Sequence, residues 1–96
     1  MPDVNVTIRG SKIFVDKDPV QASVSKGERV RWTSTDGPFE IAFKPGYNWP
    51  HPPAVRQSGG SWQTECGPFN QPNTKLRYNV AAAGCDTLDP DLDVLP

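Results

Sequence analysis

Few side chains in this sequence could do chemistry: one histidine, two cysteines, and a run of aspartates near the end. His51 sits in Trp49-Pro50-His51-Pro52-Pro53 and is the natural candidate for a base near neutral pH. Together with Cys66 and Cys85 it makes three ligands of the kind zinc accepts. Their spacings of fifteen and nineteen residues fit no zinc signature, and no Cys-x-x-Cys is present. The expectation is therefore a loop histidine and no metal. Nucleophilic catalysis would need Cys66 or Cys85 beside an activating base, and neither is surrounded by the motif of a known thiol enzyme.

Asp86, Asp89, Asp91 and Asp93 are spaced somewhat like the ligands of a calcium loop. The central glycine and the bidentate glutamate at the twelfth position that such a loop needs are both missing. The plainer reading is a strand: Leu88, Leu92 and Val94 share one parity, and Asp89, Asp91 and Asp93 share the other. Pro90 falls on the apolar parity and cannot donate to a ladder, which predicts an edge strand or one that begins after it. Charge on an edge also discourages pairing with another copy.

The two cysteines allow either free thiols or a disulfide. A bridge from Cys66 to Cys85 would close a loop of about 20 residues and contribute roughly 3 kcal/mol in an oxidising compartment. Both states stay open on sequence grounds. Tyr47, Trp49 and Trp62, with His51 among the prolines around them, form a candidate ligand- or partner-binding group, because rigid rings bury much area at low entropic cost. The competing role for Trp49 and Trp62 is to cap the open end of a thin core.

The elements that would position these groups are strands. Val4, Val6 and Ile8 alternate with Asn5, Thr7 and Arg9, the period of a strand with one buried face. Ile13, Phe14 and Val15 follow a Gly10-Ser11 turn. Val20, Ala22 and Val24 form the next alternating set. Lys26-Gly27-Glu28 then supplies a turn, and Val30 and Trp32 resume the inward face, so the pattern predicts a hairpin across Gly27. Phe39, Ile41 and Phe43 follow the Asp36-Gly37-Pro38 break. Leu76, Tyr78, Val80 and Ala82 alternate with polar or small residues near the far end. Between Lys44 and Lys75 the pattern disappears in a stretch holding six of the eleven prolines and half of the eight glycines. We expect an irregular insertion at about 44–75, folded on one edge, with a short strand near Ser61 to Thr64 or one helical turn. No helical stripe and no internal repeat is visible.

A chain of 96 residues is one domain, spanning 1–96. Its size allows one thin core, which suits two sheets packed face to face. A formal net charge of -1 gives no long-range attraction to nucleic acid or anionic lipid, and no apolar run is long enough to span a membrane. Met1 to Ile8 shows no secretory pattern. As written, the expectation is a cytoplasmic protein, or a periplasmic or secreted one if the chain is a mature form behind a new Met1.

The run from Ile13 to Phe43 resembles the cupredoxins, the plastocyanin and azurin family: Phe14, then Val20-x-Ala22-x-Val24-x-Lys26-Gly27-Glu28-x-Val30-x-Trp32, a polar turn, and Phe39-x-Ile41-x-Phe43. Tyr78-x-Val80 is similar to the family's aromatic-rich penultimate strand. The resemblance covers about two thirds of the chain and implies an all-β, cupredoxin-like Greek-key sandwich of about 6–8 strands. An immunoglobulin-like sandwich is the alternative, although Trp32 precedes both cysteines rather than standing between them. The resemblance also implies where a copper ion would be held, and there the sequence departs from it. Phe39 stands at the position of the first ligand histidine and Ala82 at that of the ligand cysteine; no histidine follows Ala82, and the one methionine is Met1. A type 1 site takes two imidazoles and a thiolate, which a chain with one histidine cannot supply alone.

Two functional expectations follow. The first is a non-catalytic binding or assembly module without copper or other cofactor, contacting a protein or small ligand through the 44–75 region as a monomer or weak dimer. The second is a thiol/disulfide redox protein or Cys-based enzyme using Cys66 and Cys85.

Overall fold

The computed structural model describes residues 2–44 and 54–96. Tyr47, Trp49 and His51 lie outside the described residues. Those described form strands and no helix: β1 (Asp3–Arg9), β2 (Lys12–Val15), β3 (Val20–Ser23), β4 (Val30–Ser34), β5 (Glu40–Phe43), β6 (Arg56–Ser58), β7 (Ser61–Cys66), β8 (Thr74–Ala81) and β9 (Asp91–Leu95). The chain is all-β, and no helix among the described residues is long and apolar enough to cross a membrane. The strands make two mixed sheets, one ordered β2-β1-β4-β7-β6 and the other β3-β9-β8-β5. β1 runs parallel to β4 and β3 parallel to β9, while the remaining pairs are antiparallel.

The core follows from the alternation. Val4 and Val6 on β1, Val30 and Trp32 on β4, and Thr64 and Cys66 on β7 face inward from one sheet. Val20 and Ala22 on β3, Leu76, Tyr78 and Val80 on β8, and Leu92 and Val94 on β9 meet them from the other. Such an arrangement buries one face of the central strands, as a two-layer sandwich requires, while the short edge strand β6 is exposed throughout. Trp32 and Tyr78, both fully buried, touch across the layers edge to face, with ring centroids 5.3 Å apart. Trp32 Nε1 donates to the Tyr78 hydroxyl at 3.2 Å, so the indole N–H is satisfied inside the core, as a buried polar group must be.

Three expectations are corrected by the sheet order. β3 and β4 are not a hairpin. They lie in different sheets, and the Lys26-Gly27-Glu28 segment carries the chain from one layer to the other. The turn is closed locally: Gly27 N–H bonds to Val24 O at 3.0 Å, Glu28 N–H to Ser23 O at 3.1 Å, and Glu28 Oε1 accepts from Ser23 N–H at 2.8 Å. Gly27 takes φ of 62°, a conformation that glycine adopts without a Cβ penalty. Parity puts Val20, Ala22, Val30 and Trp32 in the core whether their strands pair or face one another, so alternation alone could not tell the two apart.

β9 begins after Pro90, as one reading of the proline allowed, yet it is not an edge strand. It lies between β3 and β8. Pro90 is buried just ahead of the strand, and its carbonyl accepts from Tyr78 N–H at 3.2 Å. The 44–75 stretch, expected to be irregular, contributes β6 and β7, which brings the strands to nine among the described residues. β7 is longer than the expected Ser61 to Thr64 and is internal, between β4 and β6. The two strands are joined at Gly59-Gly60, with Ser58 opposite Ser61, a two-residue hairpin connection that favours glycine.

Replacing Tyr78 with Phe leaves the Trp32 N–H buried without an acceptor, and we expect a loss of about 1–3 kcal/mol of stability in denaturant melts at neutral pH. Burial raises the Tyr78 pKa from 10.0 to about 12, with the Trp32 hydrogen bond opposing it. The unfolded chain therefore loses this proton first, and stability present below pH 10 falls as the pH rises to about 12. That alkaline component should be missing from the Phe variant. An identical pH dependence in the two proteins would contradict it.

Candidate functional site

The register of β5 on β8 builds one end of the sandwich. Glu40 pairs with Ala81 as the last rung of that ladder, so Phe39 and Ala82 flank its open end as near neighbours. Phe39 is buried and Ala82 half-buried against the core. They line an open groove of about 740 Å³ together with Ile41, Val55 and Ala83 among others, and Glu40 marks its rim. Val55 reaches it from the chain that leads into β6, so the groove lies between the free edges of the two sheets. Apolar side chains make up most of the described lining, which suits an apolar ligand or side chain more than an ion.

A second, smaller groove of about 350 Å³ lies across the outer surface of β4, β7 and β6. Arg29, Arg31, Arg56 and Glu65 line it, and Ala54 borders both grooves. Alternation turns Arg31, Glu65 and Arg56 outward, opposite to the buried Trp32 and Thr64 and the half-buried Val55. Arg29 Nε stands 3.3 Å from Glu65, and Arg31 Nε 2.9 Å from Asp3. All four side chains are partly exposed, and such pairs contribute little to stability. Arg29 Nε is shielded from solvent yet has no directed hydrogen bond among the described residues. Arg56 has no ion pair there at all.

Of the sequence-predicted site residues, the described ones, Trp62, Cys66 and Cys85, are not assembled into one centre. Trp62 lies on β7, opposite Ser34 and Gln57. It is half-buried and packs against the core, and it does not line the apolar groove. Cys66 and Cys85 form no disulfide and stand at opposite ends of the sandwich. Cys66 pairs with Val30 at the start of β4, beside the start of β1. Cys85 donates its thiol proton to Gly10 O at 3.7 Å, beyond the other end of β1. Seven residues of strand separate these ends, roughly 20 Å at the rise of a β-strand. A disulfide needs Cα atoms within about 7 Å, so the bridge left open by the sequence is not made in this fold. The same separation removes any metal shared by the two sulfurs. Among the described residues no group of three His, Cys, Asp or Glu side chains is placed to hold a metal ion.

Two of the aspartates, Asp89 and Asp91, stand beside cations rather than beside one another. Lys44 Nζ lies 2.8 Å from Asp89, and Asp91 stands within 4.0 Å of both Lys75 and Arg77. Reading the sequence marked Phe39 and Ala82 only as positions where ligands fail, and it missed the arginines altogether. Outward parity was legible for Arg29 and Arg31, but the partner that brings Arg56 beside them is the unanticipated hairpin β6–β7. Comparison with protein-family models, curated proteins and solved structures finds no match to this chain.

Burial raises the Cys66 thiol pKa from 9.0 to about 11, against the lowering pull of the Gly67 backbone hydrogen bond and of Arg29. The thiolate is the reactive form, so Cys66 should be inert at neutral pH. We expect a disulfide reagent to titrate Cys85 in the native protein and Cys66 only after unfolding. Rapid reaction of both thiols in the folded state would contradict this placement.

Proposed function

We propose that this chain is a non-catalytic, cupredoxin-like binding or assembly module in which an apolar groove occupies the end where blue-copper proteins hold their metal. The observation that carries the reading is the meeting of Phe39 and Ala82. Both were matched to ligand positions from the strand pattern alone, and both border the same groove at the same end of the sandwich. A phenyl ring and a methyl group offer no electron pair to a metal, but they do offer a surface that an apolar group can cover. The groove is formed partly by Val55, so the contact region falls at the 44–75 stretch, though on its aliphatic side chains rather than on Trp62.

The topology supports a Greek-key reading as well. Consecutive strands β4 and β5 lie in opposite sheets, as do β7 and β8, and β9 returns between β3 and β8. Chain crossings of this kind are what a Greek-key sandwich needs. An immunoglobulin-like sandwich is built from antiparallel sheets, and the parallel pairs β1–β4 and β3–β9 depart from that pattern. The alternative function, a switchable dithiol or Cys-based enzyme, finds less support. It would need Cys66 and Cys85 within reach of each other, or either of them beside a base.

A neutral solvatochromic dye such as Nile red tests the groove directly. We expect its fluorescence to rise and shift to the blue with the native protein. Ala82→Trp should fill the groove and remove the effect while the thermal transition is retained, and Ala83→Arg serves as a second block if the first variant unfolds. No response from the native protein, or an unchanged response in a folded blocked variant, would overturn the reading.

A further inference from the structure

β6 is the edge strand of its sheet, and the chemistry differs on its two sides. The two-residue turn makes Ser58 and Ser61 the first rung of the β6–β7 ladder. Antiparallel rungs alternate between hydrogen-bonded and non-bonded pairs, so Arg56 and Ser58 direct their backbone groups to β7. Gln57 and Val55 direct theirs to the free edge, and none of these has a backbone partner among the described residues. Inward from this edge lies the apolar groove, bordered by Val55, Phe39, Ile41 and Ala82. Outward lies the groove of Arg56, Arg31 and Arg29, with Glu65 as its one acidic lining residue. Glu65 pairs with Arg29 and Asp3 with Arg31, so the three guanidinium groups exceed the carboxylates by one, and the surplus positive charge lies at Arg56, nearest the edge.

We propose that the free edge of β6 takes up an extended peptide in which apolar residues alternate with acidic ones. A strand added there would complete the backbone hydrogen bonds of Val55 and Gln57. Because successive side chains point to opposite faces, its apolar residues would enter the groove between the sheets and its acidic residues would lie over the arginines. Strand addition supplies affinity through the main chain and selectivity through pockets for alternate side chains. Arg56, on the edge strand itself and with no ion-pair partner among the described residues, is the donor such a carboxylate would satisfy. Bidentate pairing of guanidinium with carboxylate favours Asp or Glu over a neutral residue. The inference rests on the binding-module reading and names its partner.

The probe is a fluorescein-labelled octapeptide of alternating valine and glutamate, with a valine–lysine alternation as its counterpart. We expect saturable anisotropy with the valine–glutamate peptide, weakened at high salt, and amide exchange protection appearing at Val55 and Gln57. Arg56→Glu should weaken binding by about tenfold or more. Gln57→Pro should abolish it, because it removes the outward N–H but no ladder bond, a substitution an edge strand tolerates. Gln57→Thr, which keeps the N–H, should bind as the native protein does. Equal affinity for the lysine peptide, binding that survives Gln57→Pro, or no protection at the edge would each overturn the proposal. Nile red binding in a protein that ignores the valine–glutamate peptide would overturn strand addition while leaving the groove's function standing. Loss of both would remove the two together.

Discussion

The contact between Trp32 and Tyr78 is the constraint on which the rest of this structure depends. A chain of 96 residues can build one thin core, and here the two largest fully buried side chains among the described residues come from opposite sheets and meet within it. Each ring carries a polar atom that would be costly to bury alone. The indole N–H can reach the phenol oxygen only if β4 and β8 hold one registration across the layers, so the hydrogen bond selects among packings that apolar area would leave degenerate. Phe43 adds a second edge contact to Tyr78, with centroids 6.3 Å apart, and thereby ties β5 to the same registration. Once β8 and β5 are placed, Phe39 and Ala82 have no freedom to separate. The geometry of the groove is thus a consequence of a contact deep in the core.

Alternation in the sequence identified which side chains enter that core. It could not identify which strands are neighbours. Val30 and Trp32, Leu76 with Tyr78 and Val80, and Leu92 with Val94 were all legible as inward residues, because a period of two has one physical meaning on a half-buried strand. The β3–β4 hairpin was misread because a tight turn after a strand is compatible with pairing and with crossing between sheets. β9 was misread as an edge because Pro90 was weighed as a ladder breaker, whereas it precedes the strand and gives up no rung within it. In β7 the inward positions include Thr64 as well as Trp62 and Cys66, and a hydroxyl on the core side blurs the contrast that alternation relies on. The Gly59-Gly60 turn signal was present in the sequence and would have located the hairpin.

The candidate site was legible only in part, for a different reason. Phe39 and Ala82 could be picked out because a strand pattern places them, and their meaning at that stage was negative. What makes them a surface is Val55, which approaches from another sheet, and long-range proximity of that kind leaves no local trace in a single sequence. The same holds for Arg29, Arg31 and Arg56. Arg31 and Arg56 are ordinary outward residues on their strands and Arg29 just precedes β4, and they share one surface only when β7 is inserted between β4 and β6.

That positive surface also bears on how the protein keeps its edges from indiscriminate pairing. Exposed strand edges are templates for aggregation, and natural sheets blunt them with short strands and charge. The four edge strands here, β2, β3, β5 and β6, have four, four, four and three residues. A second copy of β6 laid beside the first would bring Arg56 and its neighbouring guanidinium groups against their own kind, and like charges across an interface oppose association. An acidic strand meets no such penalty. On the proposed reading, the arrangement that discourages self-pairing is the same one that would admit a partner of opposite charge, because discrimination depends on the difference between the two binding free energies and not on either alone. A short edge limits the number of main-chain bonds available, so selectivity at the proposed site would come chiefly from the apolar groove on one side and from Arg56 on the other.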